Sequence, residues 1–170
     1  MEENYIDKYL FNYLFSSSNS MISVIDRNYR YVKINPTFCR MLNLTEESVV
    51  DRSVGDIWGD ETFHNNIKNN IDLCFNGENV KFEAKFGIPA RGIRFFEVTF
   101  IPLTGGGQEV MHIVAETTDI SKIRLSQNAV NEMEEEFRRL ETGIPIGLLR
   151  CKTDGTIIHY NNAFSKIIEN

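Results

Sequence analysis

The apolar period of this chain changes at Gly77 from that of a helix to that of a strand, and this limits the fold more than any other feature. Before it, Phe63, Ile67, Ile71, Cys74 and Phe75 fall on one side of a helix and Asn65, Asn66, Lys68, Asn69 and Asp72 on the other. After it, Val80, Phe82, Ala84 and Phe86 alternate with Lys81, Glu83 and Lys85, the period of a strand with one wet face. Gly87 to Gly92 turns the chain. Phe96, Val98 and Phe100 then alternate with Glu97 and Thr99, and the permissive turn Gly105 to Gly107 leads into Val110 to Thr117. Three antiparallel strands therefore follow one long helix, with Phe82, Phe96, Val98 and Phe100 expected on the core face.

Upstream, Tyr5, Ile6, Tyr9, Leu10, Tyr13 and Leu14 recur at three- and four-residue spacing, which predicts an amphipathic helix ending in the polar run Ser16 to Ser20. Met21 to Ile25 and Tyr31 to Ile34 are β-rich runs around a turn favoured by Asp26 and Asn28, and so form a hairpin. Asn35-Pro36 supplies a helix cap with proline at the first helical position, and Phe38, Met41 and Leu42 give that helix its buried stripe. Thr45 to Ser48 starts another short helix, and the pairs Val49-Val50 and Ile57-Trp58 are too short for strands. The fold class is thus α+β: a five-stranded antiparallel sheet with helices packed on one face, flanked by N-terminal and C-terminal linker helices.

Composition removes several functions. A net charge of −6 with interspersed signs offers no cationic face for nucleic acid or an anionic membrane. No apolar run approaches the roughly 20 residues that span a bilayer, and the acidic start is unlike a signal peptide, so the chain is expected in the cytoplasm. Cys39, Cys74 and Cys151 lack CxxC spacing and read as buried thiols. His64, His112 and His159 are scattered, with no Cys or carboxylate at a metal-binding spacing. With no GxSxG, P-loop or HExxH sequence, neither a catalytic centre nor a metal site is expected.

The run from Ser23 through Asn35-Pro36-Thr37-Phe38 to Leu42 is similar to the opening of bacterial PAS domains, where a hairpin leads into an Asn-(Pro/Ala)-x-Phe helix. That family commonly closes its last strand with Asp-Ile-Thr, and Asp119-Ile120-Ser121 stands at that place, its Ser hydroxyl expected to cap the outgoing helix. The resemblance covers about 21–121. It implies a sensory module without catalysis of its own, relaying a signal through Asp119, Ile120 and Ser121 to an output domain beyond residue 170, a histidine kinase or a diguanylate cyclase. The Asn-Cys-Arg-Phe-Leu-Gln helix of flavin-binding light sensors is absent. Haem sensors of the family use a His on the long helix, but the spacing of Phe63, Ile67 and Ile71 turns His64 toward solvent or the pocket's edge. The cofactor is left unassigned.

Asn161 laid on Asn35 without gaps, a shift of 126 positions, brings Phe164 onto Phe38, Ile167-Ile168 onto Met41-Leu42 and Thr153-Asp154-Gly155 onto the first hairpin turn. The expected organisation is an N-terminal helix at 1–20, a PAS domain at 21–120, a linker helix at 121–141 and the start of a second, incomplete PAS domain at 142–170. The chain is on this view a piece of a longer protein. The alternative is a C-terminal hairpin that completes the first domain. In the linker, Ile123, Val130 and Phe137 fall seven apart, as do Ser126, Met133 and Leu140, the seam of a two-stranded coiled coil. A homodimer through Ile123, Val130, Met133, Phe137 and Leu140 is expected; the alternative is a helix packed on its own domain.

A ligand cavity is expected between sheet and helices, near Phe38, Met41, Trp58, Phe63, Ile67, Val98 and Phe100. The predicted function is to sense a small ligand or to mediate dimerisation. The alternatives are a ligand-free interaction and dimerisation domain, and a haem-binding gas or redox sensor.

Overall fold

Alternation of apolar and charged residues after Gly77 becomes three long paired strands. The computed structural model describes residues 2–105, 107, 109–143 and 146–168. Gly106 of the glycine turn, and residues 144–145 and 169–170 of the C-terminal segment, lie outside the described residues. The chain divides into two units, 1–121 and 122–170.

In the first unit, α1 (Glu2–Ser17) precedes a hairpin of β1 (Met21–Asp26) and β2 (Tyr31–Ile34). The Asp26 carboxylate accepts the backbone N–H groups of Asn28 (2.8 Å) and Arg30 (2.9 Å), which fixes the turn. Helix α2 (Pro36–Leu42) starts at the Asn35 cap and ends where Asn43 turns left-handed, at φ 57°. A 3-10 turn at Glu46–Ser48, where the Thr45 N–H donates to the Ser48 hydroxyl, and α3 (Val54–Trp58), opened by the reciprocal cap of Ser53 and Asp56, follow. The long helix is not uniform: α4 (Asp60–Thr62) passes through a π turn, Phe63–Ile67, into α5 (Lys68–Phe75).

Strands β3 (Val80–Ile88), β4 (Gly92–Thr104) and β5 (Val110–Asp119) complete an antiparallel sheet in the order β2-β1-β5-β4-β3. They run longer than expected, so the β3–β4 turn shrinks to 89–91, with Ala90 at φ 60° and Gly92 at φ 71°. Central β5 pairs with β1 from Met21↔Thr117 to Asp26↔His112 and with β4 from Phe96↔Asp119 onward. The helices cover one face. On it Phe96, Val98 and Phe100 are buried as their alternation requires, whereas Phe82, on edge strand β3, is only half-buried. The outward Lys81 and Lys85 of that edge discourage pairing with another strand.

The second unit carries α6 (Ser121–Gly143, starting on the last residue of the first unit), then β6 (Leu149–Cys151), β7 (Ile157–Tyr160) and α7 (Asn162–Ile168). Its two strands pair with each other and with no third strand among the described residues.

Phe100 is 2% exposed between β3 and β5. Phe100→Ala should cost about 3–5 kcal/mol in urea unfolding, and Thr99→Ala on the outer face far less. Equal small losses would show that the inner face is misassigned.

Candidate functional site

A cavity of about 30 Å3 lies between the inner face of the sheet and the helices. The strands line it with Ser23 and Ile25 (β1), Tyr31 (β2), Phe82 and Phe86 (β3), Val98 and Phe100 (β4) and Ala115 and Thr117 (β5); the helical side adds Phe38, Val54, Trp58 and Ile67. A water needs roughly 10–15 Å3 of such space, and ligand pockets commonly hold about 300–1,000 Å3. In this conformation side chains fill most of the site.

Its main polar contact is internal. Trp58 Nε1 donates to the Tyr31 hydroxyl at 2.8 Å, and burial pushes the Tyr31 phenol well above its ordinary pKa, so it stays neutral. Tyr31 meets Phe38 edge-on at 5.4 Å, and Trp58 leans on Phe86 at 4.7 Å. Aromatic contact therefore locks the two faces of the cavity together.

Five of the seven expected residues line the cavity: Phe38, Trp58, Ile67, Val98 and Phe100. Met41 does not, because Phe38 and Leu42 already occupy the inward face of α2; its sulfur lies 3.5 Å from an Arg91 guanidinium nitrogen. Phe63 does not either. It is buried at the start of the π turn, edge-on to Tyr29 at 5.4 Å. Near it, the Tyr29 hydroxyl and the Lys68 ammonium both donate to Asp72 at 2.6 Å. Burial works against ionising Asp72, but these hydrogen bonds outweigh it and hold the carboxyl below its ordinary pKa. The pair fastens the first hairpin turn to α5. Ser23, Ile25, Ala115 and Thr117 escaped the sequence reading although the inward alternation of β1 and β5 points to them.

His64 is exposed, and its ring Nδ1 donates to the Asp60 carbonyl oxygen at 2.8 Å, outside the cavity. Cys74 is fully buried, and desolvation pushes its thiol up to about 11, so it is not a thiolate at neutral pH. Cys151 is exposed and Cys39 only half-buried, contrary to the expectation of three buried thiols. Among the described residues no group of three or more His, Cys, Asp or Glu could hold a metal ion.

The junction of β5 and α6 is clasped to β4 at one residue. The Ile120 N–H donates to the Phe95 carbonyl at 2.9 Å, and the Phe95 N–H donates to the Ser121 hydroxyl at 2.9 Å. The Asp119 carboxylate accepts the Ser121 N–H at 2.8 Å. This corrects the expected role of Ser121. The β4–β5 ladder ends at Phe96↔Asp119, so Phe95 still needs partners as the chain leaves the sheet, and the Ser121 hydroxyl supplies one. On α6, Ile123, Val130, Met133, Phe137 and Leu140 are all exposed, from 55% to 71%. Val130, Met133 and Phe137 also line a groove with Leu148, Leu149 and His159 of the same unit.

A five-stranded antiparallel sheet roofed on one face by short helices, with a small core cavity and a helix leaving its central strand, defines an α+β sensor fold. The family model described as PAS fold matches residues 15–124, more than half of the chain, and the chain belongs to this family. It is a sensory signalling module. Among solved structures it is similar to a PAS domain from Colwellia psychrerythraea, at 15% identity and a TM-score of 0.60, covering 68% of this chain and 98% of that one. A PAS domain from a two-component sensor histidine kinase shares 16% identity with a TM-score of 0.54, covering 68% and 98%. The LOV protein of Rhodobacter sphaeroides shares 14% with a TM-score of 0.58, covering 76% and 74%. Identities this low carry the fold alone. No curated protein matches the chain.

Trp58 is the only tryptophan, so its fluorescence reports on the cavity directly. Tyr31→Phe leaves the indole N–H without its acceptor and should cost about 1–3 kcal/mol while shifting Trp58 emission. Unchanged emission and stability would show that this bond does not hold the cavity shut.

Proposed function

We propose that the chain is the sensor segment of a signalling protein, in which opening of the cavity by a small molecule is passed along β5 into α6 and on to an output domain. The clasp at Phe95 carries this reading. Ala115 and Thr117 line the cavity on β5, and four residues after Thr117 the same strand has become the root of α6. Between them Asp119, Ile120 and Ser121 hold the junction by hydrogen bonds to one residue of β4 and to each other. A ligand that separates β5 from the helices would load those bonds, and two arrangements of the junction would give α6 two orientations. The lining suits a small neutral molecule, apolar except where it meets the hydroxyls of Ser23, Tyr31 and Thr117.

In this proposal the segment carries no catalysis, works in the cytoplasm, and drives a histidine kinase or a diguanylate cyclase. The similarity to a domain of a two-component sensor histidine kinase supports the first. Two copies pair in parallel through Ile123, Val130, Met133, Phe137 and Leu140, and the exposure of that seam in a single chain supports the pairing. Among the described residues no helix is long and apolar enough to cross a membrane.

The small cavity favours a second reading, an interaction and dimerisation domain without a ligand. Haem is not favoured, since it would need far more space and a histidine directed inward.

Two measurements test the proposal. Protein purified without added cofactor should show neither a Soret nor a flavin band; a Soret band would restore the haem reading. In sedimentation at micromolar concentration the parent should be a dimer and Val130→Asp a monomer with its circular dichroism intact, because the substitution places two like charges in an apolar layer. Asn131→Asp should behave as the parent. A monomeric parent, or an unchanged mass for Val130→Asp, would remove the paired helices from the mechanism.

A further inference from the structure

We infer that residues 128–168 are the opening of a second PAS unit laid on the first at a constant shift of 126, so that α6 is both the exit helix of one sensor and the leading helix of the next. The inference rests on the first unit's PAS fold, and on the relay proposed above only for the signal that α6 would carry.

The hairpins share every register position described for β6–β7. Ser23↔Ile34, Val24↔Lys33 and Ile25↔Tyr31 become Leu149↔Tyr160, Arg150↔His159 and Cys151↔Ile157, with the bulge at the same step. The turn bonds match: Asp26 N to Arg30 O and Tyr29 N to Asp26 O become Lys152 N to Thr156 O and Gly155 N to Lys152 O. The left-handed residue falls at the same place, Tyr29 at φ 59° and Gly155 at φ 87°, and glycine takes that conformation without strain.

Three bonds of the asparagine cap are repeated at the same shift. Asn35 Oδ1 accepts the N–H groups of Ile22 and Phe38, both at 3.0 Å, and Asn161 Oδ1 accepts those of Leu148 (2.8 Å) and Phe164 (3.0 Å). Asn35 Nδ2 donates to the Ser20 carbonyl at 2.9 Å, and Asn161 Nδ2 to that of Ile146 at 3.0 Å. The helix ends obey the same shift. Ser17 of α1 corresponds to Gly143 of α6, and Pro36–Leu42 to Asn162–Ile168. Phe11 of α1 lies against Lys33 of its hairpin, and their counterparts Phe137 and His159 line one groove. Few of these positions share a residue type, so the agreement resides in the backbone and the cap.

One difference shows what the second unit still requires. Ile25, Tyr31 and Ile34 are buried, but their counterparts Cys151, Ile157 and Tyr160 are exposed. In the first unit β5 lies along β1, with Ile113 opposite Ile25; in the second, among the described residues, the corresponding edge of β6 has no strand. The occupant it fits is an antiparallel strand of the β5 kind, apolar at alternate positions, and the first unit obtains its own from later sequence in the same chain. We assign the β6 edge to such a strand from the protein's own continuation.

Cys151 provides the readout. In the 170-residue protein it should react with Ellman's reagent at the rate of an exposed thiol. In the protein extended through its natural downstream coding sequence the reaction should be at least ~10-fold slower, because its counterpart Ile25 is 2% exposed. Buried Cys74 should stay slow in both, which separates this result from any failure of the first unit. An equally reactive Cys151 in the longer protein, or a gene without strand-forming sequence downstream, would overturn the inference. Protection of Cys151 in the 170-residue protein that grows with concentration would give the face to a second copy and overturn the assigned occupant.

Discussion

The side chain of Asn35 is the fastening on which the first unit depends. It is fully buried, and its amide uses both its acceptor and its donor capacity: Ile22 and Phe38 N–H groups on the oxygen, Phe15 and Ser20 carbonyls on the nitrogen. These groups belong to the end of α1, the start of β1 and the first turn of α2. One residue therefore fixes the angle at which three elements meet, and through β1 it sets the strand beside β5. An isosteric Asp would lose both donors, and a Ser could not reach four partners.

From that corner the order of packing follows. β1 and β4 hold β5 between them, so the strand that lines the cavity at Ala115 and Thr117 is also the most constrained strand in the sheet. Its exit is fastened again at Phe95. In the proposed relay, a strand held at both flanks and at its end would transmit displacement along its length, whereas the edge strand β3 could absorb it. On the proposed reading, this would make a tight cavity compatible with sensing. In the proposed sensor role, the cost of opening would be met by ligand contacts.

The architecture was legible because it is written in local periods. The switch at Gly77, the Asn35-Pro36 cap and the alternation of β3 to β5 each depend on neighbours within a few residues. The cavity was legible only in part. Phe38, Trp58, Ile67, Val98 and Phe100 follow from period, but the exclusion of Met41 depends on which of three apolar residues α2 turns inward, and that of Phe63 accompanies a π turn with no local signal here. The Tyr31–Trp58 bond joins residues 27 apart, beyond the reach of any period. The resemblance to the Asp-Ile-Thr motif implies a capping hydroxyl at Ser121, whereas its partner, Phe95, is 26 residues away across the sheet. The repeat, by contrast, was visible as few identities in the right order, since what it conserves is the turn, the bulge and the asparagine.

The most direct test of this account is hydrogen exchange with urea unfolding of Asn35→Ala beside Asn161→Ala. Asn35→Ala should destabilise the first unit by at least ~2 kcal/mol, since several buried backbone groups lose their partners together, and should expose the Ile22 and Phe38 amides. Residues 146–168 should keep their exchange rates. Asn161→Ala should free the Leu148 and Phe164 amides and leave the first unit's transition unmoved. An Asn35→Ala variant within ~0.5 kcal/mol of the parent, the range of an ordinary surface change, would contradict the claim that this side chain fastens the unit.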